Sequence, residues 1–123
     1  TVSPDANTQT EAVRATLRRM FDGPNPPTAI MASFDPLAER IYLLLGELGL
    51  RVPEDVSLIG FGGAHRDGAL TERLTSITVD EVELGRTAAR MLQEINEGNR
   101  PFFNTERTMM PIDVAAGRTL GRV

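Results

Sequence analysis

Apolar residues recur along the chain at two spacings, and the changes from one spacing to the other mark its elements. From Thr10 to Asp22, Val13, Leu17, Met20 and Phe21 fall at i, i+4, i+7 and i+8, a single stripe of an amphipathic helix. Residues 1–9 before it are polar and read as a poorly ordered lead-in. "GPNPP", Gly23 to Pro27, allows neither helix nor central strand. "TAIMA", Thr28 to Ala32, then has the length of a buried strand. Asp35-Pro36 reads as a helix start, with Asp35 as N-cap and Pro36 at the first helical position. That helix, 36–48, carries a core stripe of Leu37, Ile41, Leu44, Leu45 and Leu48, and Gly49 stands where a left-handed C-terminal residue is wanted.

The second half repeats the alternation. "DVSLIGF", Asp55 to Phe61, predicts a strand reached through the turn "RVPE", and "LTSITV", Leu74 to Val79, predicts another. Asp80 followed by Glu83 resembles a capping box with Asp in place of Ser or Thr. The helix it opens, 81–96, has Leu84, Ala88, Met91, Leu92 and Ile95 on one stripe and closes at Gly98. "RTMMPIDV", Arg107 to Val114, predicts a last strand, which Pro111 confines to an edge or a bulge. Strands alternating with helices predict an α/β fold on a parallel or mostly parallel sheet.

Composition narrows what such a fold does here. The chain has 123 residues, 41% of them hydrophobic, and a formal net charge of −4. That sign is wrong for holding nucleic acid by its own surface, so any DNA contact must come from another segment. There is no cysteine, hence no disulfide, thiolate metal site or thiol nucleophile, which fits a cytoplasmic location. No His/Asp/Glu cluster has the spacing of metal ligands, and no cofactor is expected.

In a parallel sheet ligands sit outside the carboxyl ends of the strands. Two such ends carry unusual residues: Ser33, Phe34 and Asp35 after the first strand, and Gly62, Gly63, Ala64 and His65 after the second. "GFGG" is not a phosphate cradle, because no third glycine follows at dinucleotide spacing and no G-K-[ST] occurs in this chain without lysine. His65 with Asp67 could work as an acid–base pair, but no serine or cysteine nucleophile is indicated nearby, so no catalysis is expected. Helix 36–48 has a wide apolar arc, since Tyr42 and Leu43 lie off its core stripe. That arc points to a subunit contact, for which Ile41, Tyr42, Leu45, Arg66 and Leu70 are the candidate residues.

The ordered series "PTAIMASFDPLAERIYLLLGELGLRVPEDVSLIGFGG", "LTSITVDEVELGRTAARMLQEINEG", the "MP" strand and "AAGRTLG" resembles the distal half of the sensor domain of lactose/galactose-repressor (LacI/GalR) family regulators, over Pro27 to Gly121. The resemblance implies a type I periplasmic-binding-protein-like, doubly wound fold: two lobes with a small effector (a sugar, sugar acid or nucleobase) between them. Residues 10–73 and 107–121 would then form mainly the distal lobe, and 74–98 a crossover and a helix of the other lobe. DNA would be bound only through a missing headpiece. With the helix stripe uncovered, domain swapping or tight homodimerisation of the chain is expected.

By the same resemblance Phe34, Asp35, Gly62, Gly63, His65 and Arg66 are the ligand-binding candidates. Family members usually carry "G-F/Y-D-D" where this chain has "GFGG", so Gly62 stands in place of a carboxylate that commonly bonds the ligand. His65 and Arg66 are then expected to supply polarity from further along the loop. A periplasmic solute-binding protein feeding a transporter is the alternative that shares the fold.

Overall fold

The computed structural model describes residues 6–63, 70, 72–103 and 107–121. The chain runs α1 (Ala6–Phe21), β1 (Ala29–Met31), α2 (Asp35–Glu47), β2 (Ser57–Gly62), β3 (Thr75–Val79), α3 (Glu81–Asn96) and β4 (Ile112–Ala115). The four strands form one sheet in the order β1-β2-β3-β4. β1 and β3 run parallel to β2, and β4 runs antiparallel to β3 at an edge. This is the mixed α/β, mostly parallel sheet that the alternation predicted, with Pro111 just outside the edge strand, where its missing N–H breaks no ladder bond.

Most elements stand where the apolar spacing put them, and the departures have local causes. α1 starts at Ala6, so part of the polar lead-in is helix. α2 begins at Asp35 itself: Phe34 is the N-cap, with no side-chain cap bond, and Pro36 lies in the first turn. The expected capping role of Asp35 is therefore corrected, because its carboxylate is engaged across the sheet. At the other end Gly49 does adopt the left-handed conformation, with φ 77°. Asp80 caps α3 as expected, accepting from the Glu83 N–H at 2.8 Å.

The core lies between α2 and the sheet. Ala38, Ile41, Leu44 and Leu45 on α2 bury against Val56, Leu58, Ala32 and Leu74, and Leu17 of α1 joins them. Their spacing of three and four residues on α2 meets the two-residue alternation of β2, where Leu58 is buried and Ile59 only half so. Burying each such leucine contributes about 1.5–3 kcal/mol. Ahead of β2, Arg51 grips Asp55 through its side chain and its own N–H, which lowers the Asp55 carboxyl to about 2. That grip fixes the turn that aims β2 into the sheet.

The carboxy-terminal segment straps the opposite end of the strands. The Thr119 carbonyl accepts from the Leu58 N–H at 2.7 Å, and its hydroxyl accepts from the Thr75 N–H at 2.9 Å. Ser57 Oγ exchanges bonds with the Gly121 backbone. β2 and β3 are therefore tied at the end remote from the predicted rim.

Candidate functional site

The parallel register of β1 and β2, Met31 against Ile59, brings both unusual loops out on one edge of the sheet. β3 adds to it, because Gly62 pairs with Thr78. Phe34 leaves β1 with half its surface exposed, and Phe61 at the end of β2 is 36% exposed. Two aromatic faces and the backbone of a glycine turn thus form one rim.

Asp35 holds that rim together from below. Its Oδ2 accepts from the Gly63 N–H at 2.9 Å, and its Oδ1 accepts from the Ser76 hydroxyl at 2.6 Å. Ser76 is fully buried on β3, so one carboxylate joins the start of α2 to the ends of β2 and β3. Hydrogen bonds to an ionised acceptor are the stronger kind. Gly60 makes the approach possible, since a Cβ there would overlap Asp35 Oδ1. Asp35 is a lock under the rim, with both oxygens taken up.

Gly62 and Gly63 have φ of 118° and 58°, values L side chains rarely adopt. A Cβ at Gly63 would overlap Thr78 Cγ2, whereas one at Gly62 would meet nothing among the described residues within 4 Å. The position where the resembling family usually carries a carboxylate thus lies on a backbone path that suits glycine. Beside Thr78 a cavity of about 460 Å³ opens, with Asp80, Pro111 and Asp113 on its walls.

His65 and Arg66 lie outside the described residues. Of the subunit-contact candidates, Ile41 and Leu45 share the buried stripe of α2 and are core residues, unavailable to a partner. Tyr42 and Leu70 are half-buried, and Leu43, noted only as widening the arc, is 62% exposed. Ser76 was missed altogether; the signal for it was a polar residue inside the apolar run "LTSITV". Among the described residues no group of His, Cys, Asp and Glu is placed to hold a metal ion. Among those residues, too, no helix is long and apolar enough to cross a membrane.

Comparison with known proteins agrees with this fold. The periplasmic binding protein-like domain matches residues 1–120. The HTH-type transcriptional repressor PurR of Escherichia coli is 34% identical over 87 residues, which cover 69% of this chain and 26% of that protein. The crystal structure of a LacI family transcriptional regulator from Arthrobacter sp. FB24, in complex with lactose, superposes with a TM-score of 0.73 at 28% identity, over 97% of this chain and 42% of that one. The dimeric Lac repressor shares the fold, with a TM-score of 0.73 at 22% identity, over 90% of this chain and 40% of that one. The chain thus spans about a quarter of the length of the curated relatives it matches.

Proposed function

The chain belongs to the periplasmic-binding-protein-like domain family, in the form found in LacI-type transcription regulators, and we propose that it is the distal part of a regulator's effector-sensing domain. The observation that carries this reading is the rim over Asp35. Exposed Phe34 and Phe61 offer ring faces for stacking, and the Gly62–Gly63 turn exposes backbone to a ligand. Asp80 and Asp113 nearby can accept hydroxyl protons. These groups suit a small sugar, sugar acid or nucleobase, and Arg66, in the sequence that follows the glycine turn, is the candidate to pair with an acidic one. The lactose complex of the Arthrobacter relative supports this ligand class.

In this reading residues 10–73 and 107–121 form mainly one lobe, and 74–98 lead from β3, still in that lobe's sheet, to a helix of a second. The exposed Leu84 and Leu92 on α3 support that division, since a helix with a bare apolar stripe wants a partner surface. Closure on the effector would favour one of two lobe arrangements and so alter the spacing of paired DNA-binding headpieces, a coupling between two sites through differential affinity. Subunits would meet along α2 through Tyr42 and Leu43, with Leu70 beside them and Arg66 a further candidate from the sequence. The work is binding in the cytoplasm, with no reaction and no cofactor, and DNA is touched through a headpiece alone.

Calorimetry tests the rim, on the complete polypeptide containing this chain and with a panel of sugars, sugar acids and nucleobases. At least one compound should bind and be weakened a few-fold to about tenfold by Phe34→Ala, the range for a lost aromatic contact. Arg66→Ala should weaken an acidic effector further. Binding that neither substitution alters would remove the rim from the site.

A further inference from the structure

At the amino-terminal end of the sheet, a strand's length from the rim, lies a second cleft, of about 240 Å³. It is lined by Tyr42 of α2, Pro53 and Glu54 of the turn before β2, Arg73 before β3, and Arg118 and Thr119 of the strap. Its two arginines are brought together by backbone. The Arg118 N–H donates to the Arg73 carbonyl at 2.6 Å, and Thr119, 2% exposed, anchors the strap to β2 and β3 through the bonds described above. Gly117 lets the strap approach, because a Cβ there would overlap the Arg73 carbonyl oxygen. The Tyr42 hydroxyl lies 3.4 Å from Arg73 Nη1, so a phenol joins the same wall.

Several described arginines, Arg73 and Arg118 among them, lack the ion pair that others have. Arg14, Arg51, Arg86 and Arg100 each face a carboxylate. Among the described residues Arg73 and Arg118 face none, although acidic residues outnumber basic ones 17 to 13. The backbones of Arg73 and Arg118 meet and both residues line the cleft, so an oxyanion there could accept from both guanidiniums, which would otherwise repel if they approach. The planar guanidinium fork matches the oxygens of a phosphate group. Glu54 on the same wall would repel a ligand that is anionic throughout but accepts hydrogen bonds from hydroxyls.

We propose that this cleft binds a small hydroxylated phosphate monoester, with its phosphate on Arg73 and Arg118, the Tyr42 hydroxyl as a further donor and its hydroxyls toward Glu54. The site is independent of the effector rim. It takes a compact ligand, since a cleft of this size is smaller than the usual small-molecule pocket.

The test is an amide NMR titration of this chain with inorganic phosphate, with glycerol 3-phosphate, and with sodium chloride at matched ionic strength. Saturable shifts are expected at Leu74, Thr75, Arg118 and Thr119, with the Gly62 and Gly63 amides unmoved. Arg73→Gln and Arg118→Gln should each weaken binding about tenfold or more, as loss of a charge-assisted contact does. Both leave the backbone bonds of the strap in place. Glycerol 3-phosphate should bind more tightly than phosphate, and Glu54→Ala should narrow that difference. Shifts that sodium chloride reproduces, that centre on the rim, or that survive both arginine substitutions overturn the proposal. Equal affinity for the two phosphates overturns the ester assignment. Tyr42 also belongs to the proposed subunit contact, so sedimentation is followed in the same buffers, and shifts that track a change in association overturn it as well.

Discussion

Asp35 illustrates how one side chain can be claimed by its neighbours in sequence and won by residues far away. Locally it precedes a proline at a helix start, the place for an N-cap. In the fold it accepts from Gly63 and from Ser76, 41 residues on. Asp35→Ala would leave both donors facing a void. Ser76 can turn toward the Ile77 carbonyl, which is already 3.3 Å away, so the expected loss is that of about one unsatisfied buried group, about 1–3 kcal/mol in urea unfolding. Gly60→Ala should lower stability by a similar amount, since its Cβ displaces the same carboxylate. The double variant should lose clearly less than the sum, because both changes break one interaction. Strict additivity would show that Gly60 matters for another reason. The sequence showed that something unusual sits at Asp35 and at the glycines; it could not show that they touch, because that contact exists only once β2 and β3 are paired.

Elements were more legible than residues, because periodicity is a local property and contact is not. The apolar stripes of α2 and α3 are equally clear in the sequence, and both helices form. Only α2's stripe is covered: Ile41, Leu44 and Leu45 are buried, whereas on α3 Leu84 and Leu92 are exposed and Thr87 is the residue that is buried. Reading a stripe says that a helix wants a partner, not whether the partner is in the chain. The cap of α3 was legible for the same local reason, Asp80 and Glu83 being three residues apart. Asp80→Ala removes the bond to the Glu83 N–H and should weaken the helix by about 0.5–2 kcal/mol. Because α3 is so lightly packed, the loss should show as faster amide hydrogen exchange in α3, with the amides of β2 unchanged. Equal acceleration in β2 would mean that α3 unfolds with the core and is better supported than its exposed leucines indicate.

At the scale of the whole molecule the question is what covers the apolar surface that remains. Apart from the rim aromatics and the exposed Met31, Phe102, Phe103, Met109, Ile112 and Val114, it includes Leu43 beside Tyr42 on α2, and Val82, Leu84 and Leu92 on α3. A stripe such as α3's fits a second lobe, and a patch such as α2's fits a second subunit. In the isolated chain either can drive self-association, because exposed apolar surface of this kind is an interaction site or a liability. The proposed arrangement makes α2 the subunit contact. Tyr42→Glu should therefore move sedimentation velocity from dimer toward monomer, since it takes the ring out of the contact and puts a charge in its place. Leu92→Glu, on the other helix, should leave the dimer intact. The reverse outcome, a dimer indifferent to Tyr42→Glu and lost with Leu92→Glu, would place the contact on α3 and make association of this chain a substitute for the second lobe.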